Sequence, residues 1–300
     1  MSSARPRRGE PALLAEQRLA SNLAATDFAT VYAAAAERPL TQVRAGPCRI
    51  CSGRFGPVID MTELFRGTCF LTAHGLRDDA LVLKQVTSTT HRADLDSVPP
   101  MDAITIFEAL ARAESFLASC GDERFPETAP GRRGHVAIAK RRHQGGHGTQ
   151  SITLHARAPK WLLREREFIA RHGAGLPSFL ETRTPPGLLV GEFRGGLAAA
   201  VATAPKRAFE LYIWCRPGAT GALSDLSGNQ RWGMAQAIRE LTGALRLELA
   251  VRGLPATYGW RLVAGAGIEP YVRLVTPHSL VVADGPSDWV ERLRAHIGVE

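Results

Sequence analysis

The chain has 300 residues, 45% of them apolar, enough to bury a substantial core as one large domain or two of ordinary size. Its formal net charge is +8 and its pI about 9.7, with Arg far more frequent than Lys. Guanidinium-rich surfaces suit phosphate-bearing ligands, although an Arg- and Ala-rich genomic composition gives the same excess. No apolar run reaches bilayer length, no apolar stretch follows the basic residues 1–8, and no basic stripe is interleaved with aromatics. These features argue against a membrane span, a secretion signal and specific nucleic-acid binding, and predict a cytoplasmic protein.

Residues 11–38 are rich in Ala and Leu and predict one helix or two short ones, ended by Pro39 and Gly46-Pro47. Next comes Cys48-Arg49-Ile50-Cys51. Two thiolates at this spacing reach one zinc ion, and a redox pair or two structural thiols fit as well. The remaining cysteines, Cys69, Cys120 and Cys215, fall in predicted strand or helix, and the odd total of five does not read as a disulfide framework. Residues 68–73 and 80–86 predict a hairpin. A polar link with His91 leads to a helix over 101–120, with Asp102 near its start and Ile104, Phe107, Ala111 and Leu117 along one face. A charged, Pro-containing loop follows, then a strand over 135–139, a Gly-rich run over 144–148 and a strand over 150–157.

The second half repeats this order. Strands are predicted over 188–193, 197–203 and 209–215. A helix over 229–251 carries Ala235, Ile238, Leu241, Leu245 and Leu249 at spacings of three and four. Strands over 257–263 and 271–276 precede a short helix after Pro286. Strand, strand, long helix, strand, strand thus occurs twice, which predicts a duplicated α+β fold with antiparallel sheet.

Chemistry concentrates in residues 143–157. Glycines permit close backbone approach to a phosphate, and successive N–H groups form an anion nest. On the following strand Ser151, Thr153, His155 and Arg157 share one face by the period of two, placing hydroxyl, imidazole and guanidinium side by side. Such a face suits a phosphoryl group; a solvated polar strand gives the same pattern.

The order of Cys-x-x-Cys, hairpin, link His, long helix, Gly-rich loop and His-bearing strand resembles the galactose-1-phosphate uridylyltransferase branch of the histidine-triad (HIT-like) superfamily. The resemblance covers roughly residues 46–277. It implies two HIT-like repeats, each an antiparallel sheet with a long helix. Residues 1–44 are then an N-terminal helical extension, 45–158 the first repeat with Cys-x-x-Cys and His155, and 159–300 the second. Thr153-Leu154-His155-Ala156-Arg157 stands in place of the family's His-x-His-x-Gln. The resemblance implies that His155 attacks a nucleotide α-phosphorus and carries the nucleoside monophosphate group. It implies that Gly148, Gln150, Ser151 and Arg157 hold phosphates, that Cys48, Cys51 and His91 hold a structural zinc, and that the protein is a homodimer acting on a nucleotide or nucleotide-sugar. Two departures stand out: Thr153 replaces the expected fourth zinc ligand, and Arg157 replaces the phosphate-contacting Gln. A specialised pathway enzyme with altered chemistry, or a non-catalytic nucleotide-binding partner protein, fits the same residues.

Overall fold

The computed structural model describes residues 50, 55–56, 58–77, 80–88, 94–119, 135–140, 148–155, 157–216, 219–278 and 285–298. Strands β1 (Val58–Leu64), β2 (Gly67–Arg77) and β3 (Ala80–Val86) lead to helix α1 (Pro100–Ser119), then β4 (His135–Lys140) and β5 (Thr149–His155). Two helices, α2 (Lys160–His172) and α3 (Leu176–Arg183), connect to the second half. That half contains β6 (Leu189–Phe193), β7 (Leu197–Val201), β8 (Leu211–Cys215), α4 (Gly228–Val251), β9 (Gly259–Gly265), β10 (Ile268–Val275) and α5 (Pro286–Ile297).

The ten strands form one antiparallel sheet in the order β1-β2-β3-β5-β4-β9-β10-β8-β7-β6. Each half therefore runs three strands, a long helix and two strands. The halves meet at β4 and β9 through Ile138–Leu262, Ala139–Arg261 and Lys140–Trp260. The α+β class and the antiparallel sheet agree with the sequence expectation. The expected helix over 11–38 lies outside the described residues.

Alternation decides which face each strand buries. Along β5, Gln150, Ile152 and Leu154 are buried while Thr149, Ser151, Thr153 and His155 are half-buried on the other face. Ile152 and Leu154 join the main core with Ile106 and Leu110 of α1, Ile238 and Leu241 of α4, and Trp289 and Leu293 of α5. Each such aliphatic side chain stabilises the fold by roughly 2 kcal/mol through removal from water. A smaller apolar cluster on the opposite face joins Leu162 of α2 and Leu180 of α3 to Trp214, Val263 and Tyr271.

Helix α4 starts at a reciprocal cap. The Ser227 hydroxyl accepts the Gln230 N–H at 3.3 Å, and the Gln230 side chain accepts the Ser227 N–H at 2.9 Å. Gly233 is needed for packing: a Cβ there would lie 1.8 Å from the Arg194 carbonyl oxygen in the β6–β7 turn. Asp102, near the start of α1, uses its carboxylate on the β1–β2 turn instead, accepting the N–H of Phe65 at 2.7 Å and of Arg66 at 3.1 Å.

Candidate active site

A cavity of about 700 Å³ lies on the sheet face opposite α1, across β5, β4, β9 and β10. Its wall on β5 is Ser151, Thr153 and His155, as the period of two requires. Its floor on β4 includes Ala137 and Ala139, whose small side chains leave the space open. The second-half wall carries Arg261, Val263, Tyr271 and Arg273, and α2 adds Trp161, Arg164 and Glu165. Arg164, Arg261 and Arg273 outnumber the single lining carboxylate, Glu165, so the cavity favours an anion.

His155 ends β5, with Ala80 as its Cα partner on β3 and His135 as its partner on β4. Two imidazoles thus occupy directly opposed positions of one antiparallel pair. Ser151 sits four residues away on the same face, with Ala139 beside it across β4.

The polar walls are held by specific partners. Arg273 donates from Nε to Glu210 Oε1 at 2.8 Å, and its Nη2 lies 2.7 Å from the same oxygen in an ion pair. Glu210 is buried and also accepts the Lys206 N–H and the Tyr212 hydroxyl. Burial works against the Arg273 charge, and the Glu210 and Tyr212 groups outweigh it, so the guanidinium is held above its ordinary pKa. Tyr271 donates to Glu165 Oε1 at 2.5 Å. Burial raises the Glu165 pKa, and the Tyr271 bond only partly opposes it. Among the described residues, Glu165 Oε2 and the Trp161 indole N–H have no hydrogen-bond partner. At the seam, Lys140 is bonded to Asp94 and lies 3.8 Å from the Tyr258 ring centroid.

Of the residues expected from sequence, the structure brings Ser151 and His155 into this cavity. Gln150 does not join them, and this corrects the phosphate-binding expectation for its side chain. It occupies the buried face of β5, where its amide donates to the Thr87 hydroxyl at 3.1 Å. A residue between Thr149 and Ser151 must face the core when they face the cavity. Gly148 is buried, and its carbonyl accepts the Thr87 N–H at 2.9 Å. Arg157 lies beyond the end of β5, exposed and away from the cavity lining. Cys48, Cys51 and His91 lie outside the described residues, as does the Gly-rich run over 144–147. Thr153, at the expected position of the fourth metal ligand, presents a hydroxyl in place of an imidazole nitrogen, and zinc sites are built from Cys, His, Asp and Glu.

Sequence reasoning missed Arg261, Arg273 and the α2 residues. The signal was present: Trp260-Arg261-Leu262 and Val272-Arg273-Leu274 each place a cation between two apolar strand residues. Trp161, Arg164 and Glu165 stand three and four apart, the spacing of one helix face.

No family model and no curated protein matches the sequence. Solved structures do match in three dimensions. An ADP-glucose phosphorylase from Arabidopsis thaliana with bound ADP-glucose has a TM-score of 0.64 at 10% identity, over 86% of this chain and 92% of that one. A uridylyltransferase has a TM-score of 0.57 at 18% identity, over 73% and 76%. A GalT-like protein from Arabidopsis thaliana has a TM-score of 0.59 at 10% identity, over 75% and 83%. Among the described residues no helix is long and apolar enough to cross a membrane. The chain therefore shares the fold of these solved structures, the uridylyltransferase and the ADP-glucose phosphorylase among them.

Proposed function

We propose that the protein is a cytoplasmic nucleotidyltransferase or phosphorylase built from two HIT-like repeats. It would pass a nucleoside monophosphate group through His155, with a nucleotide-sugar or a similar phosphorylated metabolite as donor. The observation that carries this reading is the placement of His155 on the cavity face of β5, in a pocket whose cations outnumber its carboxylates.

A neutral imidazole nitrogen is a competent nucleophile near neutral pH. It would attack the α-phosphorus, forming a P–N bond as the bond to the bridging oxygen breaks, and the sugar phosphate or phosphate would leave with that electron pair. An acceptor phosphate oxygen then attacks the same phosphorus and frees the imidazole. The arginines lining the cavity would offset the developing negative charge. A structural zinc on Cys48, Cys51 and His91, with one position left open by Thr153, and a homodimeric assembly belong to the same proposal. Zinc bound there would contribute folding energy.

Incubation with ADP-glucose and UDP-glucose, followed by intact-mass measurement, tests the transfer. The expected result is a nucleotidyl adduct that disappears in His155→Ala. The position of Arg157 outside the cavity supports a second reading, a non-catalytic nucleotide-binding protein. Nucleotide binding without adduct or turnover, unchanged by His155→Ala, would establish that one. Zinc content of the purified protein with and without Cys48→Ser tests the metal.

A further inference from the structure

We propose that a second, smaller cavity beside the His155 site is a subsite for an uncharged, largely apolar ring carried by the phosphorylated ligand. The assignment of the phosphate to the main cavity rests on the function proposed above.

The second cavity measures about 300 Å³ and lies at the end of the sheet where β5 delivers His155. His135 and Val136 at the start of β4 line it, with Ala264 near the end of β9 and Trp161 and Leu162 of α2. Trp161 also lines the main cavity, so the two spaces lie on either side of one indole. His135 is the register partner of His155, which puts the small cavity one strand away from the proposed nucleophile. Its volume, at the low end of small-molecule sites, suits one group of a ligand rather than a whole nucleotide-sugar.

The walls decide which group. Ala118 of α1, Ala222, Ala264 and Ala266 join Val136 and Leu162 in an apolar lining. Ala118 and Ala222 are buried yet stand outside the packed apolar clusters, which leaves their methyl groups to the cavity. Arg166, on the exposed side, and the half-buried His135 are the basic lining groups. Two carboxyls face them, and both are engaged by the turn that forms one wall. Glu114 accepts the Ser224 N–H at 2.8 Å, and Asp225 accepts the Ala222 N–H at 2.9 Å. Burial pushes Glu114 up to about 7, so much of its charge is absent near neutral pH. The main cavity has the opposite balance, with three arginines against one carboxylate. An anionic group therefore belongs in the main cavity and an uncharged one in the small cavity. At the boundary, the Trp161 indole N–H is buried without a partner among the described residues, a donor for an acceptor atom on the edge of a ring.

The ring has two sources, the base of a nucleotide donor or the organic part of a phosphorylated acceptor. Titration calorimetry on the full chain separates them, comparing AMP and UMP with ribose 5-phosphate, and phenyl phosphate with inorganic phosphate. The cavity is filled from opposite walls by Ala118→Leu, which suits a helix, and by Ala266→Leu at an exposed turn position. Melting curves establish that each variant folds, and the exposed Ala266 site keeps the test alive if the α1 variant does not. In the variants AMP and UMP (donor source) or phenyl phosphate (acceptor source) should weaken by roughly tenfold or more. Ribose 5-phosphate and inorganic phosphate should be nearly unchanged. Equal weakening of ring-bearing and ringless ligands, no weakening in a folded variant, or no advantage of a ring in the parent protein overturns the subsite. Adduct formation on His155 is scored separately. An adduct with no ring preference sinks the subsite alone, and a ring preference without an adduct sinks the transfer reading alone.

Discussion

The Tyr271 hydroxyl bonds Oε1 of Glu165 across 2.5 Å, tying β10 to α2 at the cavity wall. Oε2 of the same carboxyl is buried with no partner among the described residues, so the carboxyl depends on this bond. Tyr271→Phe should destabilise the protein by about 1–3 kcal/mol, the cost of leaving a buried polar group unpaired. Chemical denaturation measures it. The loss should shrink when Tyr271→Phe is made in a Glu165→Leu background, as coupled neighbours require.

Asp102 satisfies two turn amides from a buried position. Asp102→Ala should cost about 2 kcal/mol, moderated because the freed N–H groups of Phe65 and Arg66 sit on exposed residues and regain water. Amide hydrogen exchange should show faster opening of the β1–β2 turn, with β9 and β10 unchanged.

Stability should also depend on pH through Glu114. Burial first, and then Asp225, push this α1 carboxyl from its ordinary 4.5 up to about 7, against the opposing Ser224 N–H bond. The folded protein keeps the proton over a range where the unfolded chain has released it. This group therefore favours folding most below pH 4.5, and its contribution falls as pH rises towards 7 and then levels off. The loss across that window is roughly 3 kcal/mol. Urea denaturation of Glu114→Gln at about pH 5 and about pH 8 should show that part of the slope removed. An unchanged slope would contradict the assignment.

Ala139 sits on the cavity floor between the two polar walls. Ala139→Leu fills the span while keeping a strand-compatible apolar residue. Nucleotide affinity should fall by roughly tenfold or more, with the melting temperature changed by only a few degrees. Retained affinity would mean that the ligand does not cross β4.

Much of the architecture was legible because long periodic segments carry their own signal. Both long helices start and stop within a residue or two of the sequence expectation, and every predicted strand that falls in the described residues is present. Strand β1 was missed because Asp60, Thr62 and Glu63 interrupt its apolar pattern. Helices α2 and α3 were missed for another reason. Only Leu162 of α2 is buried, so a helix with most of its surface in water or at a ligand site leaves no apolar stripe to read. The cap at Ser227 did have a readable signature, Ser three residues before Gln.

The site was half legible. Period two on one strand placed Ser151 and His155 on a common face, and the same rule excludes the Gln150 side chain that family resemblance had put beside them. Arg261 and Arg273 lie more than a hundred residues away in sequence, and only the strand order brings them next to β4. Likewise, nothing in the sequence sets His135 at the start of its strand apart, and only the register places it opposite His155.

Three residue pairings between β4 and β9 join the two halves into one sheet. A polypeptide cut between 158 and 159 would yield two pieces, each with a naked strand edge prone to self-association. One piece would own the imidazole and the other the arginine fork, so neither would be chemically competent alone. Co-expressed fragments that regain ligand binding only when mixed would be the natural outcome of this construction.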